Sequence, residues 1–334
     1  MKRVPLLWSS AVLLSFAVSC GGAQESTVYA TVVATKNFVV GAANPQTGLF
    51  FQHPSQDTLW DHAGPTNIRA FGCAAHPGTD GRVLYIASGN GLHRSGDGGR
   101  TWRVTTSWQV TEVLWVAPDP RDTAVVYIGT PYGIFATRDG CLTWSAASQG
   151  LRSQFVRCVI VDRVDSRRLY CATEDGAYTS ADAGATWTRM TLSVGGVTTI
   201  AQHPRDPMIL AAGTEQYGIY MTRNGGRWWD RMESGVDHQT FYVIAFDPTA
   251  PDVVYAAGYV TGVYKSTDGG LRWRRMNAGL SDLTFHTLAV DPRNGQRVYA
   301  GAHGGGLFRT DDGGEHWRFV GRPLAQVWHI DIRP

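Results

Sequence analysis

Apolar residues along this chain come in short runs, each cut off by glycine, proline or aspartate. From residue 241 the order is "FYVIAF", an Asp-Pro turn, "VVYAAG" (253–258), a tight turn, "GVYKS" (262–266), a Gly/Asp-rich turn and a short piece around Trp273. Val, Ile, Tyr and Phe dominate these runs, and such side chains suit a pleated, half-buried surface. Beyond the first twenty residues no stretch keeps the 3.6-residue period of an amphipathic helix. The pattern predicts an all-β chain with almost no helix.

The runs recur. "RSGDGGRTW" (94–102) is echoed by "TRDGCLTW" (137–144), "SADAGATW" (180–187), "STDGGLRW" (266–273) and "TDDGGEHW" (310–317). Two worn copies, "PSQDTLW" with Asp57 and "TRNGGRWW" with Asn224, fill the series. The tryptophans Trp60, Trp102, Trp144, Trp187, Trp229, Trp273 and Trp317 then stand 42, 42, 43, 42, 44 and 44 residues apart. A second marker keeps step: His76-Pro77, Asp119-Pro120, Asp162-Arg163, His203-Pro204, Asp247-Pro248, Asp291-Pro292 and Arg333-Pro334 each close an apolar run. Four short strands in one such unit match the length of a propeller blade. The expectation is a seven-bladed β-propeller of four-stranded blades over residues 37–334, with 21–36 a linker or extra strand. The repeat that starts near Asn37 lacks an innermost strand, and "VWHIDIRP" (327–334) has no blade of its own. The C-terminal strand is therefore expected to complete the first blade and close the ring.

The first twenty residues stand apart. Lys2 and Arg3 precede an apolar run, Val4 to Val18, that ends in small residues and Cys20. This is the layout of a secretory signal, too short for a comfortable membrane span. "FAVSCGG" is similar to a bacterial lipobox, in which Cys20 becomes the lipidated first residue, although Ala17 stands where leucine is usual. Plain cleavage after Ser19 or Ala23 is the other reading. Either way the chain is expected to be exported, to the periplasm or cell surface, with a lipid anchor its sole link to membrane.

Composition narrows the partners. Thirty basic against 28 acidic residues leave a net charge of +2, no footprint for nucleic acid. Cys73, Cys141, Cys158 and Cys171 lack metal-site spacing. Cys158 and Cys171 flank a hairpin, "CVIVDRVDSRRLYC", and fit either a disulfide or two buried thiols. "GAHGGGLF" (301–308) lies between strands with no helix to follow, so it is no phosphate cradle. No metal and no cofactor are expected.

The pattern Ser/Thr-x-Asp-x-Gly-x-Thr-Trp resembles the Asp-box of bacterial neuraminidase repeats, found in sialidases, xyloglucan hydrolases, sortilin and the photosystem II assembly-factor propeller. The resemblance implies a structural role for Asp97 and Trp102, Asp139 and Trp144, Asp182 and Trp187, Asp268 and Trp273, and Asp312 and Trp317. The Asp would tie the turn and the Trp would pack between blades. It does not imply one activity, because those families differ in function. The Arg-Ile-Pro motif of sialidases is missing, and only Arg69 and Arg157 can be placed as channel arginines where those enzymes use three. Sialidase propellers have six blades, and xyloglucan hydrolases set their cleft between two propellers. No broad arginine patch like that of the assembly factor stands out.

In a propeller both markers lie on one face, and ligands generally bind at the channel mouth on the other. Seven residues before the second marker stand Arg69, Glu112, Phe155, Gly196, Thr240, Thr284 and Gln326. Five before it stand Phe71, Leu114, Arg157, Thr198, Tyr242, His286 and Trp328. Arg69, Glu112, Arg157, Tyr242, His286 and Trp328, with Trp108 and Tyr217 from the loops, are the candidate ligand-binding residues; they suit an anionic or sugar-like ligand. The alternative is that Arg69 and Glu112 simply pair across neighbouring blades. Glu112, Glu174 and Glu215 are the candidate acids for glycosidase chemistry, Glu174 and Glu215 sharing one loop position in adjacent blades. The expected function is a binding or assembly module for a protein or glycan partner; the alternative is a glycoside hydrolase of sialidase or xyloglucanase type.

Overall fold

The second strand of a typical unit, such as Val126–Thr130 or Leu169–Thr173, is buried at every position. Such a run is continuous in apolar or small residues because both its faces are covered by neighbouring sheets. The outermost strands, such as Arg103–Val104 and Thr188–Arg189, are two residues long and exposed. This gradient from buried to exposed is repeated around the molecule. The computed structural model describes residues 26–35, 46–53, 56–237 and 239–333. Among them every regular element is a strand, and the 28 strands form seven antiparallel four-stranded sheets. Apolar clusters fill the spaces between successive sheets.

The ring closes as the repeat predicts. Ala325–Arg333 is the innermost strand of the first sheet, followed outward by Thr27–Thr35, Gly48–Gln52 and Trp60–Ala63. It runs antiparallel to Thr27–Thr35 from Thr27 opposite Arg333 to Thr35 opposite Ala325. Residues 27–35, within the stretch expected to be a linker or extra strand, thus form the second strand of blade one. Turn markers alone could not show this, since none precedes "TVYATVVAT". Asn37, the leader and Cys20 lie outside the described residues.

Each recurrent turn is tied by its own side chains. Ser95 Oγ donates to Asp97 Oδ1 (2.8 Å) and accepts from the Gly99 amide (2.8 Å). Asp97 accepts from the Thr101 amide (2.9 Å) and hydroxyl (2.7 Å). The hydroxyl-to-Asp and amide-to-Asp ties recur around Asp139, Asp182, Asp268 and Asp312, with Arg272 and His316 standing where Thr101 does at the last two. Asn224 substitutes as an acceptor for the Trp228 amide at 3.0 Å. Gly270 has φ +89, and a Cβ there would lie 2.1 Å from Met221 Sδ. Several tryptophans bind the blade before their own: Trp144 Nε1 donates to Thr105 O (3.1 Å), Trp187 to Ala147 O (2.7 Å) and Trp317 to Met276 O (2.8 Å). Trp60 does so across the closure, to Val320 O at 2.7 Å.

Asp57 of the worn first turn has another task. It accepts Arg309 Nη1 (2.8 Å) and Arg318 Nη2 (2.6 Å) from the last blade, joining the two ends of the ring. In the Asp-Pro turns, Asp119, Asp162, Asp247 and Asp291 are buried and accept backbone amides of the turn. His203 does the same with Nδ1, accepting from Arg205 and Asp206 amides. The four cysteines of the ring are free thiols. Register explains why Cys158 and Cys171 stay apart: Cys171 stands opposite Val159, so the two thiols enter different inter-blade cores.

Candidate functional site

A β-bulge interrupts the innermost strand of most blades at one position. The register slips between Ala70 and Gly72, Val156 and Cys158, Val197 and Thr199, Phe241 and Val243, Phe285 and Thr287, and where Val327 faces Val32 and His329 faces Thr31. Blade three shows the same geometry, since the Leu114 amide donates to Gly129 O while Trp115 is the residue paired with Gly129. A bulge leaves one residue outside the ladder and re-aims its side chain. Those residues are Phe71, Leu114, Arg157, Thr198, Tyr242, His286 and Trp328. All seven line a cavity of about 360 Å3, together with Trp115, Phe155 and Glu215.

One arc of this mouth is aromatic. Tyr242 stacks on His286 (5.3 Å, 25°), His286 on Trp328 (4.7 Å, 25°), and Phe71 meets Trp328 edge-on at 5.5 Å. His286 Nε2 lies 2.8 Å from His303 Nδ1. Burial and the nearby His303 push the His286 imidazole down to about 4, against a raising pull from Asp282. Burial, then the Glu215 carboxylate, raises the Tyr242 phenol.

The facing side is ionic. Arg157 Nη1 is 2.7 Å from Glu215 Oε1, Nη2 is 3.9 Å from Glu174 Oε1, and the guanidinium lies over Phe155. Two carboxylates thus share one arginine. Arg69 and Glu112 do not pair. Arg69 lies over the Phe71 ring at 5.3 Å, and Glu112 accepts from the Tyr132 hydroxyl at 3.1 Å. Glu112 stands in the loop before its strand with φ +51; its amide donates to Gly89 O of blade two, while its side chain turns to Tyr132 of its own blade.

Arg69, Glu112, Trp108 and Tyr217 are not among the residues lining the cavity; Trp108 and Tyr217 are exposed side chains of the surrounding loops. Trp115 and Tyr259 were not singled out from sequence. Trp115 lines both this cavity and one of about 540 Å3 at the other end of the channel, where prolines and aliphatic residues share the wall with Arg163, Asp331 and Arg333. Its ring meets His329 edge-on at 5.1 Å. The residue after the bulge was the signal for Trp115. Tyr259 stands in the loop that holds Tyr217 one blade earlier. Among the described residues no group of three or more His, Cys, Asp or Glu is placed to hold a metal ion.

Fold and site together define a seven-bladed β-propeller with a chemically mixed channel mouth. No protein-family model and no curated protein matches the chain. Solved structures do resemble it. The GH74 xyloglucanase from Xanthomonas campestris superposes with TM-score 0.62 at 20% identity, over 77% of this chain and 45% of that one. YCF48 bound to D1 peptide gives 0.58 at 18% identity, over 81% and 95%. The extracellular domain of a putative hybrid two-component system from B. thetaiotaomicron gives 0.59 at 15%, over 75% and 34%. The chain spans between 30% and 45% of the length of the GH74 enzymes it matches. Enzymes and a peptide-bound propeller thus share the architecture, and at these identities the likeness concerns fold alone.

Proposed function

We propose that the chain is an exported Asp-box propeller that works as a binding or assembly module, docking a protein or glycan partner on the mouth opposite the recurrent turns. One observation carries this reading. Turns, second strands and inter-blade tryptophans are repeated almost unchanged, yet seven different residue types occupy the bulged position of the mouth. Packing alone favours one solution at a repeated position; a layer that diverges there is shaped for something besides the ring. YCF48, matched over nearly its whole length, is a peptide-bound case of the same architecture. In this reading the leader directs export, and Cys20 is the anchor.

The runner-up is a glycoside hydrolase using Glu112, Glu174 or Glu215 at the mouth, favoured by the GH74 resemblance. A glycosidase acid usually sits in an apolar niche that keeps its proton near neutral pH. Glu174 and Glu215 instead face a guanidinium, with side chains 56% and 43% exposed. The test is an array of glycans and a random peptide library, probed with residues 26–334 and with Tyr242→Ala, Arg157→Ala and Trp228→Ala variants. Ligands should be lost with the two mouth variants and kept by Trp228→Ala on the opposite face. Loss confined to Trp228→Ala would overturn the proposal, and reducing-sugar release abolished by Glu215→Gln would install the hydrolase.

A further inference from the structure

The planar side chains of the mouth form a ladder with one rung missing. Trp328, His286 and Tyr242 stack in succession across blades one, seven and six. On the far side of blade five, the Arg157 guanidinium lies over the Phe155 ring, 5.6 Å from its centroid. Between them stands Thr198, short and nearly buried, its hydroxyl spent on the Phe241 carbonyl. Among the described residues no ring or cation contact joins Tyr242 to Arg157. One face of Tyr242 is covered by His286, and Tyr242, Thr198, Arg157 and Glu215 together line the cavity of the mouth. Stacked rings stand 4.5–7 Å apart, so skipping one blade leaves a space roughly 10 Å across, room for one more ring.

Resting on the binding-module reading, we infer that this slot over Thr198 receives one uncharged pyranose ring of a linear glycan, and that Tyr217 and Tyr259 are stacking platforms for the sugars on either side. A pyranose carries C–H groups on its faces and hydroxyls around its rim. The slot offers the Tyr242 face as a wall and, at its edge, a carboxylate and a guanidinium bonded to each other. Glu215 accepts hydroxyls that Arg157 cannot, and Arg157 donates to oxygens that Glu215 cannot. An aromatic side chain brings only one or two hydrogen-bonding atoms on its rim, whereas a pyranose carries several hydroxyls around its rim that can donate to Glu215 and accept from Arg157 at once. Charge decides against acidic ligands: Glu174 and Glu215 outnumber the single Arg157, so a third carboxylate, brought by the ligand, is repelled.

Tyr217 belongs to blade five, which floors the slot with Thr198, and Tyr259 to blade six, which walls it with Tyr242. Tyr217 and Tyr259 are 48% and 60% exposed. Their loops are held by one residue: the Gln216 amide donates to Thr240 Oγ1 (3.1 Å) and the Tyr259 amide to Thr240 O (3.0 Å). Two exposed aromatic rings on tethered backbone lose little freedom when they bind.

The experiment titrates residues 26–334 with cellotetraose, xylotetraose and mannotetraose, and with sialyllactose and tetragalacturonate, by calorimetry, beside a random peptide library. At least one neutral tetrasaccharide should bind, and the acidic glycans should not. Thr198→Phe supplies the missing rung and should abolish binding, while Thr198→Ser keeps it. Tyr217→Ala and Tyr259→Ala, surface changes that leave the fold alone, should each weaken binding by about three- to tenfold. Binding restricted to acidic glycans, or neutral binding untouched by Thr198→Phe and both tyrosine variants, overturns the inference. Peptides captured at the mouth with no glycan overturn the slot while leaving the binding module standing; a mouth that binds neither overturns both.

Discussion

Removing the closing strand, residues 324–334, is the sharpest perturbation the ring allows. Ala325, Val327, Ile330 and Ile332 are buried in the core of blade one with Val28, Ala30, Val32 and Phe50. Burying each of the three larger side chains contributes roughly 1.5–3 kcal/mol, or about 5–9 kcal/mol together, an upper bound because unfolded chains already bury some surface. The same deletion strips the inner edge of Thr27–Thr35, which pairs with the closing strand along its whole length. A domain's entire stability is about 5–15 kcal/mol. The loss therefore rivals the whole. Urea and thermal melts of residues 26–323 and 26–334, followed by circular dichroism, read this directly. The shorter chain should show no cooperative transition at the parent's midpoint. A synthetic 324–334 peptide should restore one, with a midpoint that rises with peptide concentration. A truncated chain that melts like the parent would refute the closure argument.

Other outcomes follow from single sites. His286 titrates at about 4 in the fold against about 6.5 in the unfolded chain, so the unfolded state takes up the proton first as pH falls. Stability should be full above pH 6.5 and decline toward pH 4, by on the order of 3 kcal/mol for this group. His286→Phe, which keeps a ring in the stack, should flatten that part of the Tm–pH profile; an unchanged slope counts against it. Burial raises the Cys158 thiol to about 11, and all four ring thiols are buried. Ellman's reagent should therefore find no thiol in native residues 26–334 and four after unfolding, and a reductant should leave Tm alone. Asp139→Asn should melt close to the parent, as Asn224 does this work in blade five, whereas Asp139→Ala should melt lower; equal melting of the two would deny the carboxylate its turn-tying role.

The bulge shows where sequence reading stopped. Counting five back from the second marker finds seven residues of the cavity, because blades of nearly equal length keep position tied to number, whereas counting seven back finds only Phe155. It does not say why the fifth residue back is the one aimed inward, since the bulge is visible only when two strands are paired. For the same reason Trp115, one place further on, went unnoticed. The pairing of Arg157 with Glu215, and not of Arg69 with Glu112, was equally hidden. Those residues belong to different blades, and side-chain reach across a curved ring depends on backbone direction at each end.

The sequence by itself determined the all-β class, the seven units, the turn chemistry and the need for the last strand to join the first blade. Each of these rests on local rules: a period, a turn residue, a hydrophobic run without a partner. Only the tertiary structure decided that residues 27–35 belong to the ring, that Cys158 and Cys171 face different cores, and that Thr198, Tyr242 and Arg157 line one cavity. These are matters of register and of neighbours from separate blades. A one-residue slip in register reverses the face a side chain occupies, and nothing in the local sequence records which slip the assembled ring will choose.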